Sequence, residues 1–457
     1  MNFENPEDTI CALSSPQGTG AISLIRLSGK SAFEIMGKIF SKPLADKTSH
    51  TVHFGWIKKQ EQIIDEVLVS IFKAPNSFTG EDLIEISCHG SQFIQENILH
   101  LLTDHGARIA GPGEFSLRAF LNGKMDLSQT EAIADLIASN SAASHQVAMH
   151  QMRGGFSAEI SGLRQQLLDF ASLIELELDF SEEDVEFADR TQLSELLKAI
   201  KIKVEKLAAS FQYGNAIKNG VPVVIVGAPN AGKSTLLNAL LNEDKAIVSD
   251  IAGTTRDVIE DTVVLGGIEF RFIDTAGIRN TIDKIESLGI ERAYQKIKSA
   301  QIVLLLFDVA GSSEEEIQQQ IATFKKASIT DEQELICLFN KADKIDKKAY
   351  KKLKAYGIFI SAINEKEVDQ IKELLIKKVK EKDVETDTIV TNVRHFEILK
   401  KCKSSIDKIE EGLLTEIPGD LLAMDIRECL NLLGEITGEV TNDELLGNIF
   451  ANFCIGK

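Results

Sequence analysis

At 457 residues the chain is too long for a single hydrophobic core, and about two to four domains are expected. Its net charge of −19, from 50 basic and 69 acidic residues, argues against a protein that coats nucleic acid non-specifically; RNA bound locally, or largely through a partner, stays open. No apolar run is long enough to span a bilayer, the polar start Met1–Thr9 has no signal-peptide character, and the 6 cysteines lack C-x-x-C spacing, so no membrane insertion, no zinc site and a cytoplasmic compartment are expected.

Residues 1 to about 120 alternate strand and helix signals. Strand patterning covers Ala21–Leu27, Thr51–Ile57, Glu66–Phe72 and Leu83–Ser87, and helical patterning covers Ser31–Phe40 and Gln92–His105. The unit has no P-loop of its own. Its polar landmarks are Arg26, Glu85, His89 and the stretch Gly111-Pro112-Gly113-Glu114-Phe115-Ser116-Leu117-Arg118, which mark a ligand or interaction surface and no named chemistry. From Ser128 the pattern turns helical, and Ser128-Gln129-Thr130-Glu131 reads as a capping box with Ser128 as N-cap. Leu163, Leu167, Phe170, Ile174 and Leu178 share one helix face; Leu193, Leu197, Ile200, Val204, Leu207 and Phe211 share the next. The acidic break at 181–184 reads as a solvated turn, and helical character is expected to stop near Tyr213-Gly214.

The strand Val221-Pro222-Val223-Val224-Ile225-Val226 then leads into Gly227-Ala228-Pro229-Asn230-Ala231-Gly232-Lys233-Ser234, a match to the phosphate-binding pattern G-x-x-x-x-G-K-[ST], and a helix opens at Thr235. Backbone N–H groups of such a loop cradle phosphate, Lys233 reaches the β- and γ-phosphates, and the Ser234 hydroxyl ligates Mg²⁺. A hairpin of Asp261–Leu265 and Ile268–Ile273, turned at Gly266-Gly267, ends at Asp274-Thr275-Ala276-Gly277, where Asp274 can hold Mg²⁺ through water and the Gly277 N–H can meet the γ-phosphate. Asn340-Lys341-Ala342-Asp343 follows the strand Leu335–Phe339; its carboxylate suits the two N–H groups of a guanine edge, which adenine does not offer. Ser361-Ala362, after the strand Gly357–Ile360, adds a backbone N–H for the guanine O6. Together these motifs, in this order, predict GTP rather than ATP.

The set resembles the translation-factor class of GTPases, which places the other switch at Gly253-Thr254-Thr255-Arg256-Asp257, with Thr255 as second hydroxyl on Mg²⁺. Where many GTPases carry a water-orienting glutamine, this chain has Ile278; Glu286 is the candidate replacement, against a solvated carboxylate like Asp283 or Glu291. No arginine is placed by motif in the P-loop. Asn230 can instead hold a monovalent cation against the phosphates, potassium being the natural one, with Arg256 and Arg279 as rival charges. After residue 382 a linker at 385–388 leads to helical pattern again, through Val393, Phe396, Leu399, Ile406, Ile409 and Leu413, then Leu421–Leu433. Neither helical half looks complete, so one helical domain, split by an insertion, is expected. The fold expected is therefore a multidomain mix of α/β and all-α: an α/β unit at 1–122, helical parts at 123–215 and 383–457, and at 216–382 an inserted Ras-like P-loop domain, a mostly parallel sheet with helices on both faces. The apolar run Ile449–Phe453 favours docking of the tail over disorder, and the Cys454 thiol is equally open to a chemical role or none.

Taken whole, the chain resembles the tRNA-modifying GTPase family MnmE, also called TrmE. The likeness rests on the run from Gly113-Glu114-Phe115 through Asn122-Gly123-Lys124-Met125-Asp126-Leu127, the inserted GTPase with Gly253-Thr254-Thr255-Arg256-Asp257, and the terminal Cys454-Ile455-Gly456-Lys457. It implies an N-terminal unit that dimerises and binds a tetrahydrofolate derivative (5-formyl or 5,10-methylene), with Arg26, Glu85, Lys124 and Lys457 matching the folate positions. It also implies a flavoprotein partner, MnmG (GidA), which carries the FAD, contributes most of the tRNA binding and forms a heterotetramer with it. Together they add an aminomethyl-type group to C5 of a wobble uridine. The family's GTPase domains pair when potassium is bound; Asn230, Ser249, Ile251 and Thr254 match the K⁺ ligands, Ser234 and Thr255 the Mg²⁺ ligands, and Glu286 the water-orienting glutamate. Thr235, Asp250 and Ala252 fall within the implied nucleotide-binding set, and Cys454 matches the terminal cysteine. A ribosome-assembly GTPase, and an N-terminal unit that dimerises without a ligand, are the rival readings.

Overall fold

The computed structural model describes residues 8–179, 190–242, 260–273, 297–330, 333–345, 351–381, 388–415, 417–441, 443–451 and 453–456. The chain divides into two compact units: Met1–Ile137 with Met149–Leu196 and Ser405–Lys457, and Ala138–Ala148 with Leu197–Ser404.

In the first unit, strands β1 (Ile10–Leu13), β2 (Ile22–Ser28), β3 (Thr51–Lys59), β4 (Gln62–Phe72), β5 (Leu83–His89) and β6 (Arg108–Ile109) form a sheet of order β3-β4-β5-β2-β1-β6. All its pairings are antiparallel except β1 with β6. Helices α1 (Ala32–Ile39) and α2 (Gln92–Asp104) belong to this unit. Their residues Ile35, Met36, Ile98 and Leu102 pack with the strand residues Ile25, Leu27, Ile84 and Ile86 in one core. Period-2 alternation sends the intervening residues to the other side, and the register aligns Arg26 with Glu85, Glu85 with Ser70 and Ser70 with Val52.

Helix α3 (Glu114–Leu121) follows Gly113, whose φ of +64° is left-handed and whose missing Cβ would sit 3.0 Å from the Phe450 carbonyl. Here sequence pattern and structure part. Glu114 and Arg118 are buried, so the stretch reads as polar although it is helical. Burial pushes the Glu114 carboxyl up, but the hydrogen bond from Arg108, the Gly111 N–H and the charges of Arg108 and Arg118 outweigh it and hold the group below its usual range.

Helix α4 (Leu127–Ala138) corrects the capping-box reading. Ser128 lies inside the helix, its hydroxyl against Ser157 at 2.7 Å; the Asp126 carboxylate accepts the Gln129 N–H at 2.9 Å and acts as cap. Next come α5 (Ala142–Met152), α6 (Gly155–Asp179) and α7 (Arg190–Asn219). Helix α7 runs on through Tyr213-Gly214 where an end was expected: a Cβ at Gly214 would lie 2.1 Å from the Val390 carbonyl, so close packing, not termination, explains this glycine.

The second unit carries strands β7 (Val221–Gly227), β8 (Glu260–Leu265), β9 (Ile268–Ile273), β10 (Ile302–Asp308), β11 (Glu334–Asn340) and β12 (Gly357–Phe359), in the order β12-β11-β10-β7-β9-β8. All pairings are parallel except the edge hairpin β8–β9. That hairpin turns at Gly266-Gly267, both with positive φ, as a two-residue turn requires. The central strands are continuous apolar runs because both faces are covered. Helices α8 (Lys233–Asn242) and α10 (Glu365–Lys380) pack Leu236, Leu240, Ile371 and Leu375 against Val223, Ile225, Leu304 and Leu338. On the opposite side α9 (Glu314–Ser328) packs Ile317 and Ile321 against Phe307 and Phe339; Ser313 and Glu316 form its capping box.

The remaining helices are α11 (Val393–Leu414), α12 (Gly419–Thr437) and α13 (Asp443–Phe450). Within the first unit α12 lies along α6 and ends at left-handed Gly438, while Leu446 and Phe450 of α13 pack on Leu117 and Leu127. Among the described residues no helix is long and apolar enough to cross a membrane.

Candidate functional site

In an open parallel sheet, ligands bind outside the carboxyl ends of the strands where strand order reverses, and here β7 is flanked by β9 on one side and β10 on the other. The loop after β7 is built for close approach. Gly227 lies so near Leu306 that a Cβ would meet its carbonyl at 2.3 Å, while Asn230 (φ +64°) and Gly232 (φ +102°) take left-handed turns before α8 begins at Lys233. The Lys233 Nζ donates to the carbonyls of Gly227 at 2.7 Å and Ala228 at 2.9 Å, bending back over its own loop. Asn230, Ser234 and Thr235 are exposed at the helix start, with Ala231 buried beneath them. A helix N-terminus with a lysine folded over the loop before it attracts phosphate.

The loops after β11 and β12 are tied to this one by a single buried side chain. Asn340 is 3% exposed; its Nδ2 donates to the Ala231 carbonyl at 2.7 Å, and its Oδ1 accepts the Ala362 N–H at 3.0 Å. Lys341 takes a left-handed φ of +62° and pairs with Asp308, which directs the following 3₁₀ turn, Ala342–Lys344, so that Asp343 is exposed on it. The Ala342 N–H donates to the Ile360 carbonyl at 3.1 Å, and the Ser361 N–H to the Glu367 carboxylate. The structure thus brings together Asn230, Ala231, Gly232, Lys233, Ser234 and Thr235 with Asn340, Lys341, Asp343, Ser361 and Ala362. Ser249, Asp250, Ile251, Ala252, Gly253, Thr254, Thr255, Asp274, Thr275, Ala276, Gly277, Glu286 and Lys457 lie outside the described residues. No cluster of three or more His, Cys, Asp or Glu side chains occurs among the described residues; the exposed Ser234 hydroxyl at the start of α8 is an oxygen donor of the kind Mg²⁺ takes.

The second cluster is in the first unit. The Arg26 Nε donates to the Glu85 carboxylate at 2.9 Å, both side chains being 20% exposed. Residues 453–456 dock beside this pair: Pro112 bridges Ile455, the Gly113 N–H donates to the Cys454 carbonyl at 3.2 Å, and the Gly456 carbonyl takes the Ser14 hydroxyl at 2.9 Å. Gly456 needs its φ of +92°, since a Cβ there would fall 2.3 Å from the Leu13 carbonyl. The Lys124 Nζ donates to the Pro75 carbonyl at 2.9 Å. A largely buried arginine and glutamate in contact present a donor fork beside an acceptor, a pairing that suits one edge of a polar heterocycle carrying both acceptor and N–H groups, as a pterin ring does. Ser14 and Phe78 belong to the same neighbourhood and were not singled out in the sequence; Asn122, within the stretch that carries the family resemblance, joins them through its hydrogen bond to Thr79.

Cys454 is exposed and the other five cysteines are buried. Burial pushes the thiols of Cys11 to about 12 and of Cys88 and Cys337 to about 11, far from thiolate at neutral pH. Limiting iodoacetamide should therefore alkylate Cys454 first, and Cys454→Ser should leave no fast thiol in peptide mass spectrometry. Early labelling of Cys11 or Cys88 would contradict this burial.

The fold and this strand-edge constellation are those of a P-loop GTPase. A family model for the MnmE helical domain matches residues 127–454, and one for the GTP-binding protein TrmE N-terminus matches residues 9–124. Curated relatives named tRNA modification GTPase MnmE include those of Flavobacterium psychrophilum (54% identical, covering 98% of this chain and 99% of that protein) and Bacteroides thetaiotaomicron (54%, covering 99% and 100%). That of Cytophaga hutchinsonii is 53% identical, covering 99% of this chain and 98% of its own. The chain belongs to the MnmE family of tRNA modification GTPases.

Proposed function

We propose that this chain hydrolyses GTP as part of a tRNA wobble-uridine modification, working with a flavoprotein partner of the MnmG type in the cytoplasm. The observation that carries the reading is the presence in one chain of two sites: the P-loop joined through Asn340 to Ala362, and the Arg26–Glu85 pair beside the docked terminus. In the first, the loop N–H groups and Lys233 hold the β- and γ-phosphates of GTP, and Asp343 reads guanine. Ser234 and Thr255 are the residues for Mg²⁺; Asn230, Ser249, Ile251 and Thr254 are those for K⁺. When bound, the two cations supply positive charge against the phosphates where no arginine does. Glu286 orients the attacking water.

In the second, Glu85 accepts from the pterin N–H donors of a folate with Arg26 beside it at the same ring, Lys124 faces the acidic tail, and Lys457 closes the site. The folate supplies the one-carbon unit. A homodimer is part of the reading, and the outer sheet face supports it, with Val52 (60% exposed), Phe54 and Leu68 open on β3 and β4. The units of 1–122, 123–215, 216–382 and 383–457 assign folate binding to the first and GTP to the third.

Equilibrium dialysis of the full chain with 5-formyltetrahydrofolate, and GTP turnover across a K⁺ series matched by Na⁺, test this. Binding that is lost in Arg26→Ala, and turnover at least about tenfold higher in K⁺, are expected. Equal rates in both salts would remove Asn230 from its role, and absence of folate binding would leave the N-terminal unit a dimerisation module.

A further inference from the structure

Arg26 is held from more than one side. Besides Glu85, its Nη1 reaches the Gly456 carbonyl at 3.4 Å, and its Cζ lies over the Phe78 ring, 5.3 Å from the centroid. Phe78 sits on the loop at 74–82 between β4 and β5, where Ala74, Pro75 and Asn76 are exposed and have little packing of their own. The ring packs against the cluster of Ile10, Ala12, Leu83, Ala110 and Phe115.

Polar contacts tie the loop down. Arg118 of α3 donates to both Glu81 carboxylate oxygens at 3.1 and 3.2 Å, the Asn122 Nδ2 to the Thr79 carbonyl at 2.7 Å, and the Lys124 Nζ to the Pro75 carbonyl at 2.9 Å. From β2 the Ser28 hydroxyl meets Thr79 Oγ1 at 2.7 Å and Glu81 at 2.8 Å. Gly80, at φ +79°, lets the backbone approach until a Cβ would lie 2.9 Å from that of Asn122. A purely structural tie would account for the buried Arg118–Glu81 pair. It would not account for three polar residues of one helix and its exit, Arg118, Asn122 and Lys124, all gripping the loop that carries the ring under Arg26.

We propose that the loop at 74–82 is a positioning device for the Arg26–Glu85 pair: Phe78 is the floor under the guanidinium, and Arg118 and Asn122 are the clamp that fixes Phe78. The proposal rests on the reading of that pair as the folate-binding site. A free arginine samples many rotamers, and a ring beneath it, with Glu85 beside it, leaves the fork set before a ligand arrives. Phe78 therefore acts through Arg26 and is a positioning residue.

Phe78→Leu keeps apolar packing on Ile10 and Phe115 and removes the π face; Phe78→Tyr keeps both. In the full chain without ligand, Arg26 modification by phenylglyoxal, followed by peptide mass spectrometry, should run about three- to tenfold faster in Phe78→Leu and at the wild-type rate in Phe78→Tyr. Dialysis against 5-formyltetrahydrofolate should show affinity falling by a similar factor in the leucine variant alone, with unfolding midpoints unchanged. An Arg26 rate in Phe78→Leu equal to wild type overturns the proposal. A faster rate with no folate binding by the wild type supports the positioning role and overturns the folate reading instead. Should Phe78→Leu lose its native transition, Asn122→Ala decides in the same way: faster Arg26 modification supports the clamp, and an unchanged rate overturns it.

Discussion

Asp343→Asn is expected to weaken GTP binding by about two to four orders of magnitude while strengthening binding of xanthosine triphosphate. The residue stands exposed on the turn after Asn340 and Lys341, and the turn is fixed by the Ala342 N–H on Ile360 and by Lys341 on Asp308. A carboxylate there only accepts, matching the N1–H and amino donors of guanine; each such charge-assisted bond contributes about 1.5–3 kcal/mol. An amide turns one acceptor into a donor, which faces the guanine amino group. Xanthine has a carbonyl at that place, so the same amide fits it. Competition of GTP, XTP and ATP against a fluorescent nucleotide gives the answer. A variant that holds GTP as tightly as wild type, or that gains nothing for XTP, would take Asp343 out of base recognition.

The reach of sequence reasoning differed between the two units for physical reasons. A P-loop is a local object: the strand, Gly227 at its close approach, Gly232 at its left-handed turn and the lysine at the helix start lie within one short stretch, so spacing alone reveals them. The glycine pair of the β8–β9 hairpin is local in the same way. Helix α3 was hidden because its periodic positions hold Glu114 and Arg118, charges that usually mark solvent. They are tolerated inside because Arg108 and Glu81 complete the pairs, from chain segments that no local window contains. Gly214 misled in the opposite sense. It looked like a helix stop, yet it is set by the Val390 backbone crossing the helix, and only the folded chain reveals that. Ser128 had the right chemistry for a cap, but Asp126, two residues earlier, reached the N–H first.

The function of Asn340 was likewise half legible: its motif names a base-binding turn, while its buried amide spans two other loops. Asn340→Ala is therefore expected to damage the site from beneath, lowering GTP affinity about a hundredfold or more. The substitution leaves the Ala231 carbonyl without the Asn340 Nδ2 and the Ala362 N–H without Oδ1, both in a site where Asn340 is 3% exposed. Each unmet buried group costs about 1–3 kcal/mol, so about 2–6 kcal/mol is divided between folding and nucleotide binding. Gly232 shares the consequence, because the space a Cβ would occupy there is taken by the Asn340 Nδ2, 2.2 Å away. Once that amide is gone, the loop loses the neighbour that fixes its left-handed turn. Asn340→Asp separates hydrogen bonding from shape: the carboxylate still accepts the Ala362 N–H but faces the Ala231 carbonyl with a second acceptor, so it should fail nearly as badly as alanine. Nucleotide affinities of both variants, with unfolding midpoints measured with and without GDP, distinguish a loosened P-loop from a generally weakened unit. If Asn340→Ala binds GTP within about twofold of wild type, the bridge from β11 to the phosphate loop has no part in holding the nucleotide.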